Sequence, residues 1–297
     1  MIPALCPGDK IAILSTARKI TEPEIAVAIQ AFENWGLKVV LGQTIGASYN
    51  QFAGNDALRL QDLQQMLDDE SIKAIVCARG GYGTTRIIDQ VDFTSFKKCP
   101  KWLVGFSDVT ALHSQIHTLG LPSIHAIMPV LFHKEGTSES IETLRRALFG
   151  EELVYRAAAH PFNRTGTGSG LLVGGNLSML HTLTGTRSDI STEGKILFLE
   201  DLDEYLYHID RMMVHLDRSG KLANLAGLVI GDMSDMNDNA IPFGKTAYEI
   251  ILEHTGKYNY PVCYGFPVGH EPLNLALVCG RAAKLEVSEA EIKLSYC

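Results

Sequence analysis

Apolar residues along the chain fall into short continuous runs, separated by stretches in which they recur at helical spacing. Lys10–Ser15, Lys38–Leu41, Ile72–Cys77 and Trp102–Val104 read as strands. Thr21 opens a helix as its N-cap, with Pro23 in the first turn and Glu24 as capping-box partner, and Gly36 ends it. Asn55–Glu70 is a second helix, with Leu58, Leu63, Met66 and Leu67 on one face, and Thr84–Val91 a short third. After Gly105 and Ser107-Asp108 the apolar positions are Val109, Leu112, Ile116 and Leu119, which is again helical. Strand and helix alternate at short intervals, which predicts an α/β fold with a parallel sheet covered on both faces.

Beyond a strand at Pro122–Val130 the pattern changes. Residues 133–168 are richer in charge, Gly, Thr and Asn, with one helix near Ser138–Leu148. The simplest partition is an N-terminal α/β domain over 1–135, a linker over 136–164 and a C-terminal domain over 165–297. In the latter, strands are expected at Gly170–Asn176, Lys195–Glu200, Leu225–Ile230 and Pro261–Tyr264, with helices after Asn176, over Ile209–Leu216 and over Lys245–His254. Leu275–Val278, Ala283–Val287 and Glu291–Ser295 read as a closing set of β-strands. No internal repeat is visible.

Composition narrows the function classes. Of 297 residues, 46% are hydrophobic and 20% charged, enough for a sizeable core. The formal charge of −8 argues against nucleic acid as the main partner. No apolar run is long enough to span a bilayer, so no membrane partner is expected. The first residues show neither a basic n-region nor an apolar h-region, which predicts no signal peptide. The six cysteines are scattered without a C-x-x-C pair, and read as buried free thiols of a reducing cytoplasm.

Candidate chemistry sits at the ends of strands. Ser107 stands where a strand turns into a helix, the setting of a nucleophile elbow, although Val109 replaces the second glycine of G-x-S-x-G. On this stretch alone the ordinary reading is that Ser107 or Asp108 simply caps the helix. Arg79-Gly80-Gly81-Tyr82-Gly83 and Gly174-Gly175-Asn176 follow strands but match neither a P-loop nor G-x-G-x-x-G. They read as tight turns, or as nests of free amides for an oxyanion or carboxylate. Glu200 ends an apolar strand within an acidic cluster that lacks histidines at metal-ligand spacing. His113 and His117, four apart, fail the H-E-x-x-H pattern, so no metal site is expected. His270 lies in a Gly- and Pro-containing loop after a strand, well placed for acid–base work. Ser107, Glu200 and His270, in that order, could form a hydrolytic triad.

Ala78-Arg-Gly-Gly-Tyr-Gly83, Gly105-Phe-Ser-Asp108, Gly174-Gly-Asn-Leu-Ser178, Leu199-Glu-Asp201 with Ile209-Asp-Arg211, and Gly265-Phe-Pro-Val-Gly-His270 span almost the whole chain. With these pieces the chain resembles the LD-carboxypeptidase family of serine peptidases. It departs from the family at Ser15-Thr16-Ala17, where Pro-Ala or Pro-Ser is frequent. The resemblance implies a flavodoxin- or Rossmann-like N-terminal domain, a β-rich C-terminal domain, and a site in the cleft between them. It implies Ser107 as nucleophile, His270 as general base and Glu200 as the acid that orients it. The amides of Asp108 and Gly81, or its neighbour Gly80, would form the oxyanion hole. Arg79, Gly80, Tyr82 and Asn176 are expected to touch substrate, with Arg79 or Arg86 as donor to a terminal carboxylate. The implied substrate is murein tetrapeptide in cytoplasmic peptidoglycan recycling, with no cofactor, and homodimers are common. A self-immunity peptidase acting on aminoacyl-nucleotide antibiotics is the nearest rival. A non-enzymatic two-lobed binding protein is the rival from another class.

Overall fold

The computed structural model describes residues 2–296. The chain divides into two compact units. The first comprises residues up to Glu152 together with Asn274–Val278, and the second Leu153–Leu273 and residues from Cys279 onward.

In the first unit the elements are β1 (Lys10–Leu14), α1 (Glu22–Asn34), β2 (Lys38–Leu41), α2 (Asp56–Asp68), β3 (Ile72–Cys77), α3 (Thr94–Lys98), β4 (Trp102–Gly105), α4 (Thr110–Thr118), β5 (Ser123–His125) and α5 (Ser138–Leu148). Their order in the sheet is β5-β4-β3-β1-β2, all parallel, as the alternation predicts. The strands are near-continuous apolar runs because both faces are covered: Leu14, Ile75 and Leu103 pack with Phe96 and Leu112 in one core cluster, and the alternating Ile11, Ile13, Val76 and Val104 are buried as well. At the head of α1 the Glu24 carboxylate accepts from the Thr21 amide at 2.8 Å. The helix expected over Thr84–Val91 is two 3-10 turns, Thr84–Arg86 and Ile88–Gln90, and the expected Pro122–Val130 strand stops at His125.

The second unit holds β6 (Val154–Ala158), β7 (Gly166–Asn176), α6 (Leu177–Leu183), β8 (Ile196–Leu202), α7 (Leu206–Arg218), β9 (Gly227–Ser234), α8 (Ala247–Thr255) and β10 (Val262–Cys263). The chain then adds β11 (Leu277–Cys279) to the first sheet, beside β5, before returning with β12 (Ala282–Val287) and β13 (Glu291–Tyr296). The second sheet runs β10-β9-β8-β7-β12-β13-β6. Its first four strands pair in parallel and the rest antiparallel, so the expected β-rich domain is built on one mixed sheet. The division falls inside the stretch read as a linker, and that stretch carries α5 and β6.

Gly174 and Gly175 are not a turn. They lie within β7, paired with Phe198 and Leu199 of β8. A Cβ on Gly174 would fall 2.0 Å from the Phe198 carbonyl oxygen, so only glycine permits that backbone approach. Cys77, Cys263 and Cys279 are buried free thiols, Cys99 is half-buried, and Cys6 is exposed; Cys297 lies outside the described residues. Among the described residues no helix is long and apolar enough to cross a membrane.

Candidate active site

Of the loops at the carboxyl edge of the first unit's parallel sheet, those after β1, β3 and β4 carry the candidate chemistry. Ser107 follows β4 and takes φ 62°, a left-handed conformation that a non-glycine residue adopts at a cost of about 1–2 kcal/mol. A 3-10 turn over Ser107–Val109 leads directly into α4. The alternative reading of Ser107 and Asp108 as helix caps does not hold, because neither makes a side-chain cap bond to that helix. The Asp108 carboxylate instead reaches across 24 residues and accepts from the Thr84 amide at 2.9 Å. It therefore ties the elbow to the end of the Gly80–Gly83 turn. Burial pushes the Asp108 carboxyl upward, against the amides of Thr84 and Gly83 that stabilise its charge.

Gly80 measures the spacing around Ser107. A Cβ there would stand 3.2 Å from Ser107 Cβ and 3.3 Å from Ser107 Oγ. The turn thus lies against the serine with no side chain between them. Gly81 follows at φ 110°, open only to glycine. The amides of Gly80, Gly81 and Asp108 have no hydrogen-bond partner among the described residues.

The other expected contact residues are placed as follows. Tyr82 is exposed, with its ring 6.1 Å from that of Phe52. Arg79 donates from Nη1 to the Lys19 carbonyl at 3.3 Å. Arg86 is committed elsewhere, donating from Nε and Nη2 to the Asp56 carboxylate. His113 is buried with one ring nitrogen on Ser123 Oγ and the other on the Gly105 carbonyl, both at 2.8 Å. Burial takes its pKa down to about 4. With both nitrogens engaged, His113 has none for a zinc pair with His117.

In the second unit, β8 continues past Glu200 to Leu202, so Glu200 stands inside the strand and not at its end. Its side chain is fully buried, and Oε2 lies 2.7 Å from His270 Nδ1. Burial disfavours the charged ring of His270, but the charge and hydrogen bond of Glu200, with Asp201 and Asp232 behind, outweigh it and hold the ring above its ordinary value. Asn176 caps α6 by accepting from the Met179 amide, and donates to Asp201 at 2.8 Å. Asp201 also accepts from the amide and hydroxyl of Ser178, at 2.9 and 2.8 Å. Burial and the adjacent Glu200 nevertheless push Asp201 up to about 6.

Sequence reading missed Asp232, which looks like one more acidic residue at a strand's end. It lies on β9, and a Cβ on Gly269 would stand 3.2 Å from both Asp232 Oδ2 and Glu200 Cβ. Asp232 Oδ2 is buried without a hydrogen-bond partner. Burial, then the charges of Glu271 and Glu200, push its carboxyl up to about 7. The unfolded chain releases this proton near pH 4, roughly the ordinary Asp value. Between there and about pH 7 the folded state holds the extra proton, so stability falls as pH rises through that window. Asp232→Asn removes the loss. Its gain in thermal midpoint over the unsubstituted protein should therefore be small at pH 4 and full at pH 8, read by differential scanning calorimetry. An equal shift at both pH values would assign Asp232 no such burden.

A strained serine beside unpaired amides, and a buried carboxylate aligning a histidine, are the parts of a serine hydrolase. Comparison with known proteins agrees. The LD-carboxypeptidase N-terminal domain pattern matches residues 11–126 and the LD-carboxypeptidase C-terminal domain pattern residues 169–285. The chain is also 35% identical over 298 residues to the probable murein peptide carboxypeptidase of Bacillus subtilis, covering 96% of this chain and 91% of that protein. The chain belongs to the LD-carboxypeptidase family. Members of this family are serine-type hydrolases, and this chain is one of them. A crystal structure of muramoyltetrapeptide carboxypeptidase from Oxalobacter formigenes matches with a TM-score of 0.86 at 27% identity, covering 97% of this chain and 98% of that one. The microcin C7 self immunity protein MccF shares the fold, with a TM-score of 0.89 at 20% identity over 100% of this chain and 98% of its own.

Proposed function

We propose that this LD-carboxypeptidase removes the C-terminal D-alanine from murein tetrapeptide during peptidoglycan recycling in the cytoplasm. The observation that carries the chemistry is the 2.7 Å bond between His270 Nδ1 and the buried Glu200. It fixes the tautomer whose Nε2 accepts a proton. In this reading Ser107 Oγ attacks the carbonyl of the penultimate residue as His270 takes the serine proton. The negative charge on the former carbonyl oxygen rests on the amides of Asp108 and Gly81. Loss of one such donor costs about 10²–10³ in rate. His270 then returns the proton to the leaving amine, the C–N bond breaks, and water releases the acyl-enzyme as the shortened peptide acid. Arg79, Gly80, Tyr82 and Asn176 are proposed substrate neighbours. The names of its relatives support the murein peptide as substrate. Likeness to the immunity protein supports a shared fold and no second substrate.

The test is incubation with murein tetrapeptide followed by mass spectrometry. Loss of one alanine with recovery of free D-alanine supports the reaction. An inert protein whose Ser107 still reacts with a fluorophosphonate would keep the hydrolase and remove the substrate. The absence of both release and labelling would remove the substrate and also Ser107 as nucleophile. A homodimer is also proposed, on the family resemblance, and sedimentation velocity checks it.

A further inference from the structure

The loop after β1 carries a cation that neither motif nor spacing singled out. Its backbone is pinned: Ser15 Oγ donates to the Arg18 carbonyl at 2.7 Å, the Lys19 amide to Gln51 at 2.9 Å, and Arg18 forms an isolated antiparallel bridge with Phe52. The side chain lies along the glycine turn. A Cβ on Gly81 would meet Arg18 Cδ at 2.5 Å, Cγ at 2.7 Å and Nε at 3.3 Å. The space above Gly81 is therefore filled by the Arg18 stem. Arg18 is exposed, and its guanidinium has neither an ion pair nor a hydrogen bond among the described residues. The other arginines near this turn are engaged: Arg79 with the Lys19 carbonyl, Arg86 with Asp56, and Arg59 with the carbonyls of Thr16 and Gly83.

The path of contacts is short. A Cβ on Gly80 would touch Ser107, Gly81 is the next residue, and a Cβ on Gly81 would collide with the Arg18 stem. One residue spans about 3.8 Å between α-carbons. A carboxypeptidase cuts the last peptide bond, so the terminal carboxylate lies within a single residue of the reacting carbonyl. The Arg18 stem lies on the residue that follows the one facing Ser107, so its guanidinium is the unengaged cation nearest in sequence of contacts to where that carboxylate must sit. Arginine suits it, because its planar fork meets a carboxylate with two parallel hydrogen bonds.

We infer that Arg18 binds the C-terminal carboxylate of the peptide substrate and makes the enzyme a carboxypeptidase rather than a general amidase. The inference rests on the reaction proposed above. It goes beyond that reading in naming the residue that selects for a free chain end.

The experiment compares kcat/KM for murein tetrapeptide and for the same peptide as its C-terminal carboxamide, in the wild type, Arg18→Ala and Arg18→Lys. The wild type should favour the free acid by about 10–100-fold, the range for a hydrogen bond to a charged group. Arg18→Ala should bring the two substrates together, chiefly through a higher KM for the acid, with the thermal midpoint unshifted. Arg18→Lys, which keeps the charge without the fork, should restore part of the preference. If D-alanine is released but Arg18→Ala keeps the wild-type preference, Arg18 is not the anchor and the reaction stands. If the wild type cleaves neither peptide while Ser107 is labelled by a fluorophosphonate, the proposed reaction falls and this inference with it.

Discussion

Ser107→Ala is expected to lower D-alanine release by about 10⁴–10⁶-fold, the range found when a serine hydrolase loses its nucleophile. The residual rate comes from binding and the amides alone. Two features of the elbow make the result diagnostic. Ser107 Oγ makes no capping bond, so its removal leaves no helix end unsatisfied. The residue holds φ 62°, which alanine must adopt with the same strain. Ser107→Gly removes that strain and should be more stable than Ser107→Ala by about 1 kcal/mol while equally inactive. Activity and stability thus move separately. The checks are a mass-spectrometric rate, fluorophosphonate labelling and a thermal melt of both variants. A rate within tenfold of the wild type for Ser107→Ala would remove Ser107 from the chemistry.

The elbow was legible in the sequence because its signals are local. Trp102–Val104 is a buried run, Gly105 permits the turn, and the 3.6-residue spacing from Val109 announces the helix. What Asp108 does was not legible, since its partner Thr84 is 24 residues away and the bond exists only after β3 and β4 pair. The same limit explains Arg18, which follows β1 and meets Gly81 only because β1 and β3 are neighbours in the sheet. Gly174 and Gly175 look like a turn because two glycines weaken a strand, yet here they admit the close approach of β8. Glu200 looks like a strand end in the sequence. The polar run from Glu200 hides the extension of β8, whose Asp201 is satisfied by Asn176 and Ser178 rather than by water. Finally, Leu275–Val278 reads like its neighbours β12 and β13, since a short apolar run carries no mark of the sheet it will join.

Glu200→Gln is expected to cost about 10⁴-fold in kcat, the loss seen when a triad acid becomes an amide. The substitution keeps shape and burial. A carboxylate oxygen can only accept from Nδ1, whereas a glutamine amide can also donate to it. Donation moves the ring proton to Nε2, where the lone pair is needed for the serine proton. The charge also disappears from beside a ring that it holds above the ordinary histidine value. The sign follows: in the wild type the ring is neutral, and competent as a base, only above its raised pKa, so kcat/KM falls on the acid side at a pH above that of an ordinary histidine. In Glu200→Gln burial acts with less opposition, and the residual activity should persist to lower pH. An NMR titration of His270 reads the shift without depending on turnover. A loss below tenfold, with the His270 titration unmoved, would show that Glu200 does not orient the base. The 2.7 Å bond would then serve only to satisfy a buried carboxylate.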